Sequence, residues 1–347
     1  MTHILPLVTI IMPVRNEAQY IERSLGAVLA QDYPSHRLEI LVVDGLSNDG
    51  TPDMVQQLWA NRPDTCGSLR IIDNPAQVTP VAFNVGIRQA RGQVIIIVGG
   101  HCQVAPDYVK RCVEALNQTG ADCAGGPMVT LGETYPAEVI ALAQSSIFGV
   151  GGVAFRTGRQ QPGYVDTVAF GAYQREVFDR IGGFDEDLVR NQDDEFNFRL
   201  TQAGGKIWLD PSIGSVYYSR ANLPGLWRQY FQYGLYKVLV IQKRNAVPSW
   251  RHLVPATFVL CLMLSCLFML FTAQPLWLLS VAGPYAVAGG LAAVYTARHH
   301  WRALPLLPAA FLTLHLAYGL GFLKGLWTFA FRAHPGNIGT PVTSLRS

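Results

Sequence analysis

Residues 94–102, with the sequence VIIIVGGHC, decide the fold of this chain. The first five residues are apolar and β-branched, and the run is too short to cross a membrane, so it predicts a fully buried parallel strand. In open α/β sheets the ligand lies in the crevice beyond the carboxyl ends of the strands. We therefore expect Gly99, Gly100 and His101 to line a site where backbone can approach a phosphate closely.

The preceding residues predict a βαβ unit with a polar rim. Residues 7–12 read as a strand closed by Pro13, residues 20–31 as a helix, and residues 39–43 as a second strand that ends at Asp44. A right-handed crossover brings both strand ends to one crevice. A carboxylate at the end of a buried strand is costly without a partner, which favours ligand binding by Asp44.

The polar residues that follow Asp44 have a simpler explanation. Ser47, Asp49 and Thr51 are typical of turns and of helix N-caps, and we interpret them in that way. Neither GxGxxG nor GxxxxGK[ST] occurs, which argues against a dinucleotide site and against P-loop chemistry.

The charge of the chain is low and unevenly distributed. Only 15% of the 347 residues are charged, where about a quarter is usual. Residues 253–297 contain no Asp, Glu, Lys or Arg. Three runs are long enough to cross about 30 Å of hydrocarbon, and they are residues 253–272, 277–297 and 304–331. The expected domains are 1–240, a membrane domain at 241–332, and a tail at 333–347.

The remaining charges and cysteines indicate orientation and compartment. Basic residues precede the first span and lie between the second and third, which places the domain at 1–240 in the cytoplasm by the positive-inside rule. No basic region precedes the apolar start, so no signal peptide is predicted. The six cysteines form no CxxC pair and read as buried thiols. The net charge of +3 argues against a nucleic-acid partner. We expect a multi-pass protein of the inner (plasma) membrane.

Two later segments leave alternatives open. Residues 138–155 predict an apolar helix, either at the bilayer surface or in the core. Residues 191–195 (NQDDE) open another helix, where acids favourably meet the macrodipole by about 0.3–1 kcal/mol each. From the spacing alone, we prefer the structural explanation, in which these acids stabilise the start of the helix. In the third span, His315 and Lys324 could contact a polyprenyl phosphate, although Lys324 is close enough to the helix end to reach the interface.

A family resemblance adds to this interpretation. Four motifs follow one another: VTIIMPVRNEAQYIERSL, ILVVDGLSNDGT, NPAQVTPVAFNVGIRQARG and VIIIVGGHC. They resemble the donor-binding half of family 2 inverting glycosyltransferases with the GT-A fold, and more narrowly the succinoglycan-type exopolysaccharide enzymes. The resemblance covers about residues 7–237. It implies an α/β domain and a nucleotide-sugar donor, expected to carry UDP, with contacts from Pro13, Arg15, Asn16, Glu17, Asp44, Asn84, Gly99, Gly100 and His101. For Asn84, a solvated helix face is an equal explanation.

The acceptor side of the family has its own motif. QDDEFNFRL followed by AGGKIWLDP resembles it, with residues 170–172 as the upstream strand. The resemblance implies that Asp193 is the general base, and that Gly171, Asp194, Arg228 and Gln229 lie on the acceptor side. One carboxylate suffices for inverting transfer, because the departing diphosphate requires charge stabilisation rather than a proton. The implied acceptor is a lipid-linked saccharide or polyprenyl phosphate at the membrane.

The sequence departs from the family at the metal motif. Relatives carry Asp-x-Asp or Asp-x-His after the buried strand, whereas this chain has Gly99 and His101. An imidazole without a neighbouring carboxylate is a poor Mg²⁺ site, so the implied Mn²⁺ or Mg²⁺ is in question. His101 could ligate Mn²⁺, donate a hydrogen bond to the diphosphate, or be structural. The alternative function is a non-catalytic nucleotide- or lipid-binding scaffold of an export complex, against which the retained Asp193 argues.

Overall fold

The computed structural model describes residues 5–62, 67–158 and 160–330. Cys66, Phe331 and the predicted tail at 333–347 lie outside the described residues. The strands are β1 Val8–Val14, β2 Leu38–Asp44, β3 Ser68–Asp73, β4 Val94–Ile97, β5 Cys102–Val104, β6 Cys123–Gly126, β7 Met128–Leu131, β8 Gly163–Val165, β9 Ala169–Gln174, β10 Ile207–Leu209 and β11 Ser215–Tyr218.

Helices follow the strands of the N-terminal part and make up most of the C-terminal part. They are α1 Ile21–Leu29, α2 Thr51–Ala60, α3 Thr79–Gln89, α4 Tyr108–Thr119, α5 Tyr135–Gln144, α6 Ile147–Val150, α7 Arg175–Ile181, α8 Gln192–Gln202, α9 Leu223–Arg244, α10 Val254–Thr272, α11 Leu276–Thr296 and α12 Leu307–Ala330. A short 3₁₀ turn, Trp250–His252, leads into α10.

A mixed sheet of eight strands forms the centre of the α/β domain, in the order β3-β2-β1-β4-β9-β6-β10-β8. β1 pairs in parallel with β2 and β4, and β9 pairs antiparallel with β4 and β6. All four residues of β4 are buried, as its apolar sequence predicts. A second sheet contains β5, β11 and β7. The α/β class predicted from the sequence is confirmed.

Three predicted boundaries are wrong, each for a local reason. β1 runs through Pro13 to Val14, because its pairing with β4 has already ended at Ile11 and no ladder bond on that side needs the missing N–H. Residues 121–129 are two strands in different sheets, separated at Pro127. Residues 138–155 are not one helix, since Ser146 caps α6 by accepting a hydrogen bond from the Gly149 N–H.

Apolar clusters cover both faces of the large sheet and fix the start of α8. Phe184, in the turn before α8, stacks on Phe196 with ring centroids 4.3 Å apart, and Phe178 of α7 stacks on the same ring at 5.3 Å. Phe196 is fully buried. This aromatic stack holds the first turn of α8 against the sheet, at the rim where the acids of residues 193–195 lie.

Among the residues that the structure describes, three helices are long and apolar enough to cross a membrane: Trp250–Thr272, Leu276–His299 and Leu307–Phe329. They correspond to the three predicted spans. Half of the most apolar window of α12 is buried within the protein, compared with 17% for α10 and 11% for α11. Sequence composition cannot distinguish a helix that packs on protein from one that is exposed to lipid, because the contact faces of both are apolar.

α12 packs along α9 and against α5 and α6 of the α/β domain. Glycines allow this approach: a Cβ on Gly321 would lie 2.1 Å from the Phe231 carbonyl oxygen, and one on Gly325 would lie 2.7 Å from that of Leu235. From the first contact to the second, the residue number rises by four in both helices. The two helices therefore run side by side in the same direction.

The two polar residues of α12 have different surroundings. Both ring nitrogens of His315 have partners, the Tyr285 hydroxyl at 2.9 Å and the Phe148 carbonyl oxygen at 2.9 Å. These bonds tie α12 to α11 and α6, which is a structural role. Lys324 is exposed near the end of α12.

Candidate active site

The loops after β1 and β2 are joined by side-chain hydrogen bonds. The Asn16 N–H donates to Ser47 Oγ at 2.9 Å, and the Asn48 N–H donates to Asn16 Oδ1 at 3.0 Å. The Glu17 N–H donates to Thr51 Oγ1 at 2.9 Å. The crossover therefore brings the two loops to one rim, and the hydroxyls of Ser47 and Thr51 hold the first loop in addition to shaping their own turn.

Asp44 ends β2 at the base of this rim and is 4% exposed. Its carboxylate accepts hydrogen bonds from the Ser47 N–H at 2.9 Å and the Ser47 hydroxyl at 2.5 Å. The aliphatic part of Arg15 lies over Gly45, where a Cβ would meet it at 3.1 Å. Asp44 and Arg15 thus lie on adjacent loops at one edge of the crevice.

His101 lies beyond β4 and contacts the first loop. Its Nδ1 is 3.1 Å from Glu17 Oε1, and the two side chains are 32% and 18% exposed. Gly100 makes this possible, since a Cβ there would lie 2.9 Å from the Glu17 side chain. The expectation that His101 lacks a neighbouring carboxylate is therefore wrong. The two residues are far apart in sequence, and the strand order brings them together.

The Glu17 contact decides which hydrogen-bonding groups His101 presents. An ionised carboxylate only accepts hydrogen bonds, so Nδ1 carries the proton and donates to Glu17. The neutral ring then presents a lone pair at Nε2. That nitrogen can bind a cation, but it can donate to a diphosphate oxygen only after the ring is protonated. A carboxylate that orients a histidine in this way is the usual support of a metal ligand.

His101 is a single candidate metal ligand. No group of three or more His, Cys, Asp or Glu side chains that could hold an ion occurs within the described ranges. An imidazole ligand suits Mn²⁺ better than Mg²⁺, and Glu17 supports this one through Nδ1. The arrangement fits an ion whose other ligands come from a bound diphosphate and water.

Asp193 lies in the first turn of α8 and is open to the crevice. Its Oδ1 accepts a hydrogen bond from the Asp194 N–H at 2.9 Å. The protein packed around this exposed side chain removes part of its hydration, and this desolvation raises the pKa of Asp193, opposed by the positive charges of Lys237 and Arg156. A carboxylate with a raised pKa is a stronger base.

The two acids after Asp193 are already paired. Asp194 forms an ion pair with Lys237 of α9. Glu195 is buried and pairs with Arg199 at 2.9 Å and with Arg244 at 2.5 Å. Asp193 is therefore the acid of this turn whose carboxylate has no ion-pair partner among the described residues.

α9 covers the start of α8 and connects it to His101. The Asn191 amide donates to the Tyr233 carbonyl oxygen at 2.9 Å. Gln229 Nε2 donates to the hydroxyls of Tyr233 at 3.0 Å and Tyr217 at 3.3 Å. The Tyr217 ring lies 5.4 Å from that of His101. Gln229, predicted on the acceptor side, thus links both halves of the crevice.

Burial strongly affects the Lys237 ammonium. It lowers the pKa of this side chain to about 7, while the Asp193 charge acts in the opposite direction. The Asp194 carboxylate in direct contact favours the protonated form as well. Lys237 therefore places a positive charge beside both acids below about neutral pH.

Three predicted site residues lie elsewhere or serve the fold. The Asn84 amide donates to the Phe184 carbonyl oxygen at 2.9 Å and to Glu186 at 2.8 Å, which connects α3 to the turn before α8. At Gly171 of β9, a Cβ would lie 2.8 Å from Cys123 Sγ. Arg228 is nine residues before Lys237, about 14 Å along the helix.

Arg228 lines an apolar groove of about 530 Å³ between α9 and α12. The other lining residues are Leu223, Pro224 and Trp227 of α9 and Thr313 of α12. Two residues of this region had no assigned role in the sequence interpretation: Arg156, whose charge acts on Asp193, and Tyr217, whose ring lies against His101. The only sequence signal for Arg156 is the glycine-rich run GVGGVAFRTG, residues 149–158, that contains it.

Comparison with known proteins identifies the family. The model described as Glycosyl transferase family 2 matches residues 9–182, half of the chain. This chain belongs to that family. It is 31% identical over 335 residues to succinoglycan biosynthesis protein ExoA of Rhizobium meliloti (strain 1021), which covers 93% of this glycosyltransferase and 96% of the relative.

A second relative and a solved structure agree with this family assignment. The glycosyltransferase is 31% identical over 242 residues to the dolichyl N-acetyl-alpha-D-glucosaminyl phosphate 3-beta-D-2,3-diacetamido-2,3-dideoxy-beta-D-glucuronosyltransferase of Methanococcus voltae, covering 68% and 74% of the two chains. The mannosyltransferase PcManGT from Pyrobaculum calidifontis, solved in complex with GDP-Man and Mn²⁺, has a TM-score of 0.59 at 22% identity, covering 94% and 88%. This likeness confirms the GT-A fold, and the resemblance inferred from sequence is confirmed with it.

Proposed function

We propose that this glycosyltransferase moves a sugar from a nucleoside diphosphate sugar, with UDP as the expected nucleotide, to a lipid-linked saccharide or polyprenyl phosphate, with inversion at the anomeric carbon. The observation that carries the proposal is Asp193 itself, exposed in the first turn of α8 and without an ion-pair partner among the described residues. The names of two relatives, one in succinoglycan biosynthesis and one acting on a dolichyl-linked sugar, support a cell-surface glycan or glycolipid product.

The donor is proposed to bind across the loops after β1, β2 and β4. Asp44 would accept hydrogen bonds from the base or ribose, and the loop of Pro13, Arg15 and Asn16 would contact the nucleotide. At Gly99 a Cβ would meet only Cys102 Sγ, at 3.2 Å, so the backbone of the loop after β4 is accessible to the diphosphate.

His101 is proposed to ligate the divalent cation through Nε2 with Glu17 as its support, and Mn²⁺ fits this ligand better than Mg²⁺ does. The ion would stabilise negative charge on the departing diphosphate. Glu17 holds the His101 proton at Nδ1 and so keeps Nε2 free as a ligand. Gly100 provides the space for this pair.

Asp193 is proposed as the single catalytic base. It takes the proton of the acceptor hydroxyl as that oxygen bonds to the anomeric carbon from the side opposite the nucleotide. The bond from the anomeric carbon to the diphosphate breaks, and the nucleoside diphosphate leaves with the electron pair. Desolvation raises the pKa of Asp193 and so strengthens it for this step.

The proposed setting is the cytoplasmic face of the inner membrane. α10 and α11 are the least buried of the apolar helices and are proposed to form a hairpin across the bilayer. α12 satisfies the length of a span, but it runs beside α9, whose Lys237 and Lys243 pair with acids of the α/β domain. We propose that α9 and α12 lie together at the membrane surface.

A transfer assay tests this function. Purified protein is supplied with UDP- and GDP-sugars and a bacterial lipid extract, and the anomeric configuration of the lipid product is determined by NMR. Transfer with inversion is expected. Nucleotide binding without transfer to any lipid acceptor would favour the non-catalytic scaffold, and retention of configuration would refute the role of Asp193.

A further inference from the structure

Buried polar atoms without partners gather where α9, α10 and α12 meet the α/β domain. Eleven buried side-chain nitrogen or oxygen atoms of the described residues have no hydrogen-bond partner, and four of them belong to this region: Arg156 Nη1, Arg251 Nε, His252 Nδ1 and the Tyr318 hydroxyl. We call these four residues the interface cluster. Native proteins pair nearly all buried polar groups, so a concentration of unpaired donors indicates a missing ligand.

Packing between two segments brings the arginines into one region. Gly151, at a φ of +68°, lies against Arg251, where a Cβ would be 3.0 Å from the Arg251 Cβ. The glycine-rich run 149–158 therefore rests on the 3₁₀ turn before α10. Arg251 pairs with Asp166 at 2.7 Å through Nη2, which leaves its Nε free.

The cluster extends from the catalytic base towards the membrane. The Arg156 charge acts on Asp193 and on the buried phenols of Tyr217 and Tyr230. The charge of Arg251 acts on Lys237 and reaches the Tyr318 hydroxyl on α12. Electrostatic contacts thus connect the crevice at Asp193 with the start of α10.

The nearby acids do not pair with the free N–H groups of the cluster. Asp166 pairs with Arg251 through Nη2 and Asp194 pairs with Lys237, and among the described residues the Asp193 charge acts on Arg156 without forming an ion pair with it. Arginine N–H groups only donate, and a tyrosine hydroxyl can donate. A ligand that satisfies them together presents several acceptor oxygens, as a phosphate or diphosphate does.

We propose that the interface cluster binds the phosphate or diphosphate of the lipid acceptor and thereby holds the acceptor sugar at Asp193. Arg251 and His252 stand at the first turn of an apolar helix that is long enough to cross the bilayer, where a lipid headgroup would lie. The donor diphosphate is assigned instead to His101 and the loop after β4. This inference rests on the proposed function and adds the residues that recognise the acceptor.

The test measures binding of three probes to the full chain in nanodiscs by calorimetry: farnesyl diphosphate, inorganic diphosphate and farnesol. UDP with Mn²⁺ is the separate donor probe. Arg156→Ala is expected to weaken farnesyl diphosphate binding at least tenfold and to leave UDP affinity within twofold. Arg156→Lys is expected to recover part of the loss by restoring the charge. Arg298→Ala, which follows the second helix of the hairpin and carries a basic side chain on the same proposed side of the membrane, is the matched control and should change neither affinity.

The outcomes separate the sources of the anion. Equal farnesyl diphosphate binding by Arg156→Ala and the unchanged protein would overturn the proposal, as would a matching loss of UDP binding, which would assign the cluster to the donor. Farnesol binding as tight as farnesyl diphosphate would also overturn it. If wild-type transfer succeeds while Arg156→Ala keeps full farnesyl diphosphate affinity, the inference fails and the proposed function stands.

Discussion

Replacement of Lys237 by methionine tests the electrostatic control of Asp193. The Lys237 ammonium contacts Asp194, the residue next to Asp193, and its charge lowers the pKa of Asp193. For two charges about 7 Å apart at an effective dielectric constant of about 20, the interaction is about 2 kcal/mol, or about 1.5 pKa units. Because Asp193 is open to water in the crevice, screening reduces the expected shift to about one unit.

The direction of the expected pKa shift follows from the protonation states of Lys237 and Asp193. Burial lowers the pKa of Lys237 to about 7, so the side chain is charged on the acid side of neutrality, where Asp193 takes up its proton. A positive neighbour lowers the pKa of a carboxyl group. Lys237→Met removes this positive charge, so the pKa of Asp193 rises. The acid limb of the pH–rate profile therefore moves to higher pH by about one unit.

The assay is the pH dependence of single-turnover transfer, with two companion variants. Lys237→Arg keeps the charge and is expected to leave the acid limb near its original position. Lys243→Met removes a lysine of the same helix that pairs with Asp185 and Asp187, and it should not move the limb. An unmoved limb in Lys237→Met, or an equal movement in Lys243→Met, would refute the assignment of the limb to Asp193.

Three further predictions concern the donor side, the fold and the membrane. Glu17→Gln should weaken Mn²⁺ binding to the UDP complex by about 10–100-fold in calorimetry, since it removes the charged support of His101; unchanged affinity would contradict that support. Asn84→Ala should lower the free energy of unfolding by about 1–3 kcal/mol and leave UDP affinity unchanged, because the buried Phe184 N–H loses its acceptor. Lys324→Cys should react with an impermeant maleimide only in inside-out vesicles, with the unchanged chain as background, and labelling from outside would indicate a third span.

The α/β sheet could be predicted because the apolar sequence of a strand such as β4 itself indicates that the strand is buried. The run 94–98 is apolar at every position, and such a run has few alternatives to a buried strand. The rim at Asp44 followed from chain connectivity alone, since a right-handed crossover fixes the side on which both loops emerge. The local sequence and the right-handedness of βαβ crossovers were sufficient to predict this part of the site.

Other features depend on contacts between distant segments. The Glu17–His101 pair joins residues 84 positions apart, and nothing within either motif signals it. The burial of α12 depends on glycines that meet the backbone of α9, whereas the apolar composition of α12 is equally suited to lipid. Arg156 was missed because its importance lies in an unpaired N–H group, which is a property of the folded surroundings and not of the residue.

Asp193→Asn tests the central claim most directly, through transfer and UDP affinity measured on the same preparation. The amide keeps the size of the side chain and the hydrogen bond from the Asp194 N–H, but it cannot take the acceptor proton at neutral pH. We predict loss of transfer by at least a hundredfold with unchanged UDP affinity, while Asp187→Asn, in the segment before α8, transfers normally. Transfer by Asp193→Asn at an undiminished rate, or loss of its UDP binding, would contradict the account.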